Sequence, residues 1–135
     1  MSLERVKEIH FDFQKAVTRL AEALAENLDK GSIVIDGTIQ RFEFSFELAW
    51  KTIKAVLDYN GVEATTPRAA IKEAFVAKMI DDGEAWIEML EDRNKTSHIY
   101  DEKQAIKIYR RIKDRYYKLL DHFAQFALTY LKKTA

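Results

Sequence analysis

The chain has 135 residues, and 22 Lys and Arg against 22 Asp and Glu leave its formal net charge at zero. Apolar residues make up 47%, charged residues 33% and aromatics 12%, with four Gly, one Pro and no Cys. This composition excludes an intrinsically disordered chain, a disulfide framework, a thiolate metal site and a cysteine nucleophile. The charge balance argues against a protein that coats nucleic acid or an acidic membrane. At this length one domain, residues 1–135, with one core is expected. No stretch approaches the roughly 18 to 20 apolar residues of a membrane span. The N-terminus, Met1 to Glu8, mixes both charge signs without an apolar signal core, so the expectation is a cytoplasmic protein.

Gly31, Gly37, Gly61, Pro67 and Gly83 divide the chain, and the apolar period between them is helical throughout. Val6, Phe13, Val17, Leu20, Leu24 and Leu28 step by three, four or seven, which predicts a first helix ending at Lys30-Gly31. Ser32-Ile33-Val34-Ile35 is β-prone but has no partner strand, so it reads as a packed connection. A second helix is expected from Asp36-Gly37 through Ile39, Phe42, Phe46, Ala49, Ile53 and Val56 to Asn60-Gly61. Thr66 then Pro67 is an N-cap followed by proline at the first helical position, opening a third helix through Ile71, Phe75 and Met79. Trp86, Ile87, Met89 and Leu90 mark a fourth, and Ile106 to Tyr130 a long fifth. Short connections and no strand signal predict an all-α, antiparallel up-and-down bundle of about five helices around a four-helix core.

One polar segment stands apart. Glu91 to Glu102 contains only Ile99 and Tyr100 as apolar side chains, yet it joins two amphipathic helices. Arg93 and His98 are five apart, about 140° on a continuous helix. Asn94, Thr96 and Ser97 compete locally for backbone hydrogen bonds and predict a break that lets both side chains turn to one point. Asp101 and Glu102 suit the positive end of the following helix. An Arg with a His and no metal-ligand cluster suits phosphodiester chemistry. The guanidinium holds the phosphate and its extra transition-state charge, and the imidazole moves a proton near neutral pH. On spacing alone the signal is weak, since Arg–x4–His recurs by chance, and an exposed Arg with a hydrogen-bonded interhelical His is the better reading.

The string from Trp86 to Glu102, with Asp92-Arg93-Asn94 followed by Ser97-His98-Ile99-Tyr100-Asp101-Glu102, resembles the nucleotidyltransferase substrate-binding branch of the HEPN superfamily. Phe42 to Lys51 and Thr66-Pro67-Arg68 resemble it too, and the similarity covers essentially the whole chain. The resemblance implies an all-helical homodimer that brings two Arg–x4–His motifs together and partners a separately encoded minimal nucleotidyltransferase. In the toxin–antitoxin form, it implies a metal-independent ribonuclease silenced when AMP is transferred from ATP to the tyrosine of Arg–x4–His–x–Tyr. On this sequence Arg93 would hold the scissile phosphate of an RNA substrate, His98 would be the acid/base and Tyr100 the modified hydroxyl. Asn94 would help position phosphate or backbone. No metal or organic cofactor is called for. The branch also admits a blander reading, a non-catalytic subunit that supplies a substrate-binding surface. A purely structural helical adaptor is the third reading, against which the intact polar string counts.

Other candidates are ordinary by comparison. Glu43 and Glu47 read as a solvated edge paired with Arg41 or Lys51, His10 and His122 as structural or surface residues, and Trp50 and Trp86 as core or interface. Lys107, Arg110, Arg111, Arg115 and Lys118 share one face of the last helix, either a solvated face or a guide for RNA or ATP phosphates. Of these, Lys107 and Arg111 are the candidate substrate contacts. Residues 1–100 carry 13 basic and 18 acidic side chains and residues 101–135 carry nine and four. The zero therefore hides a net of −5 followed by +5, and the balance excludes only indiscriminate coating.

Overall fold

A computed structural model describes residues 1–134. The first helix, α1 (Leu3–Leu24), is capped by Ser2, whose hydroxyl accepts from the Arg5 amide at 3.2 Å. It stops six residues short of Lys30. The Asn27 side chain accepts from Asp29 N at 2.8 Å and organises a separate 3-10 turn, Leu28–Lys30, and Gly31 at φ 99° redirects the chain. Helix α2 (Ser32–Tyr59) then begins at once, four residues before the expected start. Ser32 to Ile35 are its first turn, not a connection. Val34 is buried and Ile35 packs on the core, so these β-branched residues gain helix-face contacts that outweigh their strand preference.

Two helix ends use the same device. After α2, Val62 N donates to Leu57 O at 2.8 Å and Gly61 N to Asp58 O at 3.0 Å, with Gly61 at φ 79°. After α3 (Pro67–Val76), Met79 N donates to Ala74 O at 2.8 Å and Lys78 N to Phe75 O at 3.1 Å. Both are Schellman closures, whose left-handed position favours glycine. In the second that position is Lys78 at φ 62°. The closure ends α3 at Val76, before Met79. At its other end Thr66 accepts from Ala69 N at 3.1 Å and Pro67 is the first helical residue, as the sequence predicts.

Helix α4 (Gly83–Lys95) starts at the Asp82 cap, which accepts from Ala85 N at 3.0 Å. The last rod contains α5 (Glu102–Arg111), a π turn at Ile112–Tyr116 and α6 (Tyr117–Thr134). The described residues thus form the expected bundle of five helical rods, and no helix among them is long and apolar enough to cross a membrane.

Helix α2 is the hub, packed against α1, α3, α4, α5 and α6, while α1 and α6 close the other side. Its centre is a run of aromatic contacts through four rods. Phe13 lies 5.7 Å from Phe123, Phe123 5.8 Å edge-on from Trp86, and Trp86 6.4 Å from Phe46. Phe42 continues it, 6.5 Å from Phe46 and stacked on Tyr116 at 5.6 Å. Each fully buried aromatic removes enough apolar surface from water to contribute about 2–3 kcal/mol. The core therefore ends on a phenol ring whose hydroxyl faces α4.

Candidate functional site

The predicted break lies between Arg93 and His98. Helix α4 ends at Lys95, Thr96–His98 form a 3-10 turn, and Ile99 is extended at φ −91°, ψ 114°. Asp101 then caps α5 by accepting from Gln104 N at 2.9 Å, with Glu102 in the first turn. Arg93 is half-buried on the last turn of α4, whereas Asn94, His98 and Tyr100 are exposed.

His98 and Tyr100 are brought together. His98 Nδ1 lies 3.4 Å from the Tyr100 hydroxyl, with ring centroids 6.4 Å apart and the rings steeply inclined. This contact engages one ring nitrogen and leaves Nε2 for another partner. If Nδ1–H donates to the phenol oxygen, Nε2 is a free base. If the phenol donates to Nδ1, Nε2 carries the proton and is a hydrogen-bond donor. Tyr100 is 83% exposed, so its hydroxyl is open to a second macromolecule. A hollow of about 330 Å³ beside it is lined by Ser32, Ile35, Asp36, Tyr100, Asp101 and Glu102. Its three carboxylates disfavour phosphate on that side.

The turn is tied to α2 through a residue that the sequence pattern assigns to a solvated edge. The Thr96 hydroxyl lies 2.7 Å from Glu43 Oε2 and 2.7 Å from Arg93 O. Its single proton serves these two acceptors, holding the helix end against α2. Glu43 is therefore a support of the motif, while Glu47 follows the bland expectation, 3.4 Å from Lys51 and accepting from Trp50 Nε1 at 3.1 Å.

The residue before Arg93 carries the most buried charge of the region. Asp92 is 2% exposed, accepts from the Tyr116 hydroxyl, and takes Arg111 Nη1 at 3.0 Å on both oxygens. Around this pair, Glu88 accepts from Arg115 at 2.9 Å and lies 3.5 Å from the Tyr116 hydroxyl. Asp92 raises the already high pKa of Arg111 through its hydrogen bond and charge. Burial first, then Asp92, pushes the Tyr116 phenol far above the usual tyrosine range, so it remains a donor. Arg111, read from sequence as a substrate contact, thus has a structural partner, though its side chain stays 45% exposed. Lys107 is exposed on the same helix. Of the other candidates, Trp86 is core, His10 Nε2 lies 3.1 Å from Ala124 O, and exposed His122 stands 3.3 Å from Asp81.

Residues 10–128 match the family described as nucleotidyltransferase substrate binding protein like. The chain belongs to that family. Membership agrees with the resemblance carried by the polar string. Among the relatives, a Haemophilus influenzae protein named probable ribonuclease HepT is 34% identical over 86 residues, 60% of this chain. The chain spans 59% of that relative's length in the match. A Thermus thermophilus protein of known crystal structure superposes with a TM-score of 0.76 at 32% identity, covering 89% of this chain and 98% of the other. A second structure, from Haemophilus influenzae and titled as the fold of a substrate binding domain of a nucleotidyltransferase, superposes at 0.67 with 22% identity. It covers 94% of this chain and 99% of its own, and at that identity it supports the fold alone.

Proposed function

We propose that this chain is a metal-independent endoribonuclease, a homodimer of the toxin type, silenced by a separately encoded minimal nucleotidyltransferase that adenylylates Tyr100. The observation that carries this reading is the 3.4 Å approach of His98 to the Tyr100 hydroxyl in the exposed turn that follows the helix end bearing Arg93. The proton-transfer group and the modifiable hydroxyl share one site. The name of the relative called a probable ribonuclease supports the same reaction class.

In this mechanism His98 Nε2 removes the ribose 2′-hydroxyl proton, and the 2′-oxygen attacks the adjacent phosphorus. Arg93 holds the phosphate oxygens and stabilises the added charge. The proton taken up by His98 is returned to the 5′-oxygen as the P–O5′ bond breaks, giving a 2′,3′-cyclic phosphate and a 5′-hydroxyl. Asn94, Lys107 and the open edge of Arg111 bind the RNA backbone. An adenylyl group on Tyr100 places a bulky anion against His98, blocking the base and repelling the substrate phosphate.

The test uses the purified chain, without its partner, on total RNA in EDTA beside Arg93→Ala and His98→Ala. Wild type should cleave and both variants should lose at least about a hundredfold. Equal cleavage by all three, or none by wild type, sinks the nuclease. Adding the nucleotidyltransferase with ATP should raise the mass by whole AMP units in wild type but not in Tyr100→Phe. An unmodified tyrosine sinks the switch. The second reading, a non-catalytic subunit presenting substrate to the nucleotidyltransferase, is favoured by the family's own description. It predicts no cleavage and a nucleotidyltransferase whose activity depends on this chain.

A further inference from the structure

Arg111 and Tyr116 are five residues apart, which on an α-helix directs them about 140° away from each other. Here both reach one carboxylate. The π turn makes this possible, because its Tyr117 N–H to Ile112 O bond takes up one more residue per turn and returns the fifth residue to nearly the same side. The insertion also brings the buried Ile112, Tyr116 and Leu120 closer to one line than a straight α-helix would, where two steps of four drift about 80°.

The carboxylate so gripped is Asp92, whose chain neighbour is Arg93. Adjacent helical side chains diverge by about 100°, so holding Asp92 in depth and azimuth also sets the direction of Arg93. Three residues on, Thr96 is tied to Glu43, so the turn bearing Arg93 is held from two sides. A buried ion pair adds little stability over well-packed apolar residues. Its distinctive contribution is orientation, and the group it orients is the candidate phosphate ligand.

We propose that Asp92, gripped by Tyr116 and Arg111 across the π turn, is the positioning residue for Arg93. Asp92 does not contact substrate. It acts by fixing the helix turn that aims the Arg93 guanidinium, with Glu88 and Arg115 closing the outer edge of the cluster. The kinetic consequence rests on the nuclease reading, whereas the orientation of Arg93 rests on geometry alone.

The experiment therefore has two readouts on the full chain. The variants are Tyr116→Phe, which removes one hydroxyl, Arg111→Ala and Arg111→Lys. The control is Tyr130→Phe, which removes the hydroxyl that accepts from Asn60 at 2.9 Å, far from the motif in sequence. In RNA cleavage, Tyr116→Phe should lower kcat about tenfold or more with KM nearly unchanged, whereas Arg111→Ala, which also gives up a contact to the RNA backbone, should lower kcat and raise KM. Arg111→Lys should restore much of the loss, and Tyr130→Phe should leave kcat alone. In NMR of the labelled arginines, the Arg93 Nε–H signal should shift and lose order in Tyr116→Phe and not in Tyr130→Phe. An unmoved Arg93 signal, or kcat unchanged while only melting temperature falls, overturns the positioning role. A wild type that never cleaves sinks the nuclease reading instead, and the Arg93 signal still decides the clamp.

Discussion

Replacing Tyr116 by Phe should change how stability responds to alkali, with a sign opposite to intuition about losing a hydrogen bond. At pH 8 the variant lacks a hydroxyl donated to a buried carboxylate, a loss of about 1.5–3 kcal/mol. The phenol's pKa is raised in the folded protein, so its contribution is fully present below the unfolded value near 10 and is lost as pH rises above it. Above pH 10 the unfolded chain releases this proton and the folded chain keeps it. By pH 11 that difference removes about 1.4 kcal/mol from the wild type, the free energy of one unit of titration. Tyr116→Phe cannot lose it. Urea unfolding of both proteins at pH 8 and pH 11 should show a gap that narrows by about 1.4 kcal/mol at the higher pH. Tyr117, also raised by burial and by Asp121, is present in both proteins and cancels. A gap that stays constant or widens would refute the claim that this phenol stays protonated in the fold.

Four further substitutions test particular contacts. Lys78→Gly relieves a left-handed lysine and should stabilise by about 0.5–1 kcal/mol, while Gly61→Ala at the equivalent closure should cost about 1 kcal/mol, both read from urea midpoints. Trp86→Ala empties the centre of the aromatic run and should cost about 3–5 kcal/mol by the same assay; a loss below about 1 kcal/mol would contradict its place in the core. Glu43→Ala releases the Thr96 hydroxyl and should lower RNA cleavage several-fold while costing only about 1 kcal/mol, because that contact is part-exposed. Unchanged cleavage would return Glu43 to an ordinary helix edge.

Much of the bundle is legible in the sequence because helical period reports burial one helix at a time. The Thr66-Pro67 start and the break after Lys95 are equally plain, since capping and local competition act over a few residues. The start of α2 departs from expectation because Ile33-Val34-Ile35 favours strand intrinsically, and only packing on the core makes it helix. The π turn leaves no mark, because Ile112, Tyr116 and Leu120 at steps of four also fit an α-helix. At the candidate site, Arg93, His98 and Tyr100 stand out through the string that holds them. Their supports do not, since Glu43 meets Thr96 across 53 positions and Asp92 meets Tyr116 across 24. A carboxylate's partner at that distance is set by tertiary geometry, which no local pattern encodes.

The extended link from Ile99 to Asp101 has an energetic consequence of its own. It hangs between the end of the 3-10 turn and the Asp101 cap, and Ile99 is the residue there that packs on the core. Lifting it away exposes little apolar surface, so this link belongs to the low-free-energy end of local opening, while the aromatic run sits at the global end. Remodelling around Tyr100 is thereby insulated from the bundle. A bulky group attached there would be carried by the link alone, and the bundle beneath it would stay folded.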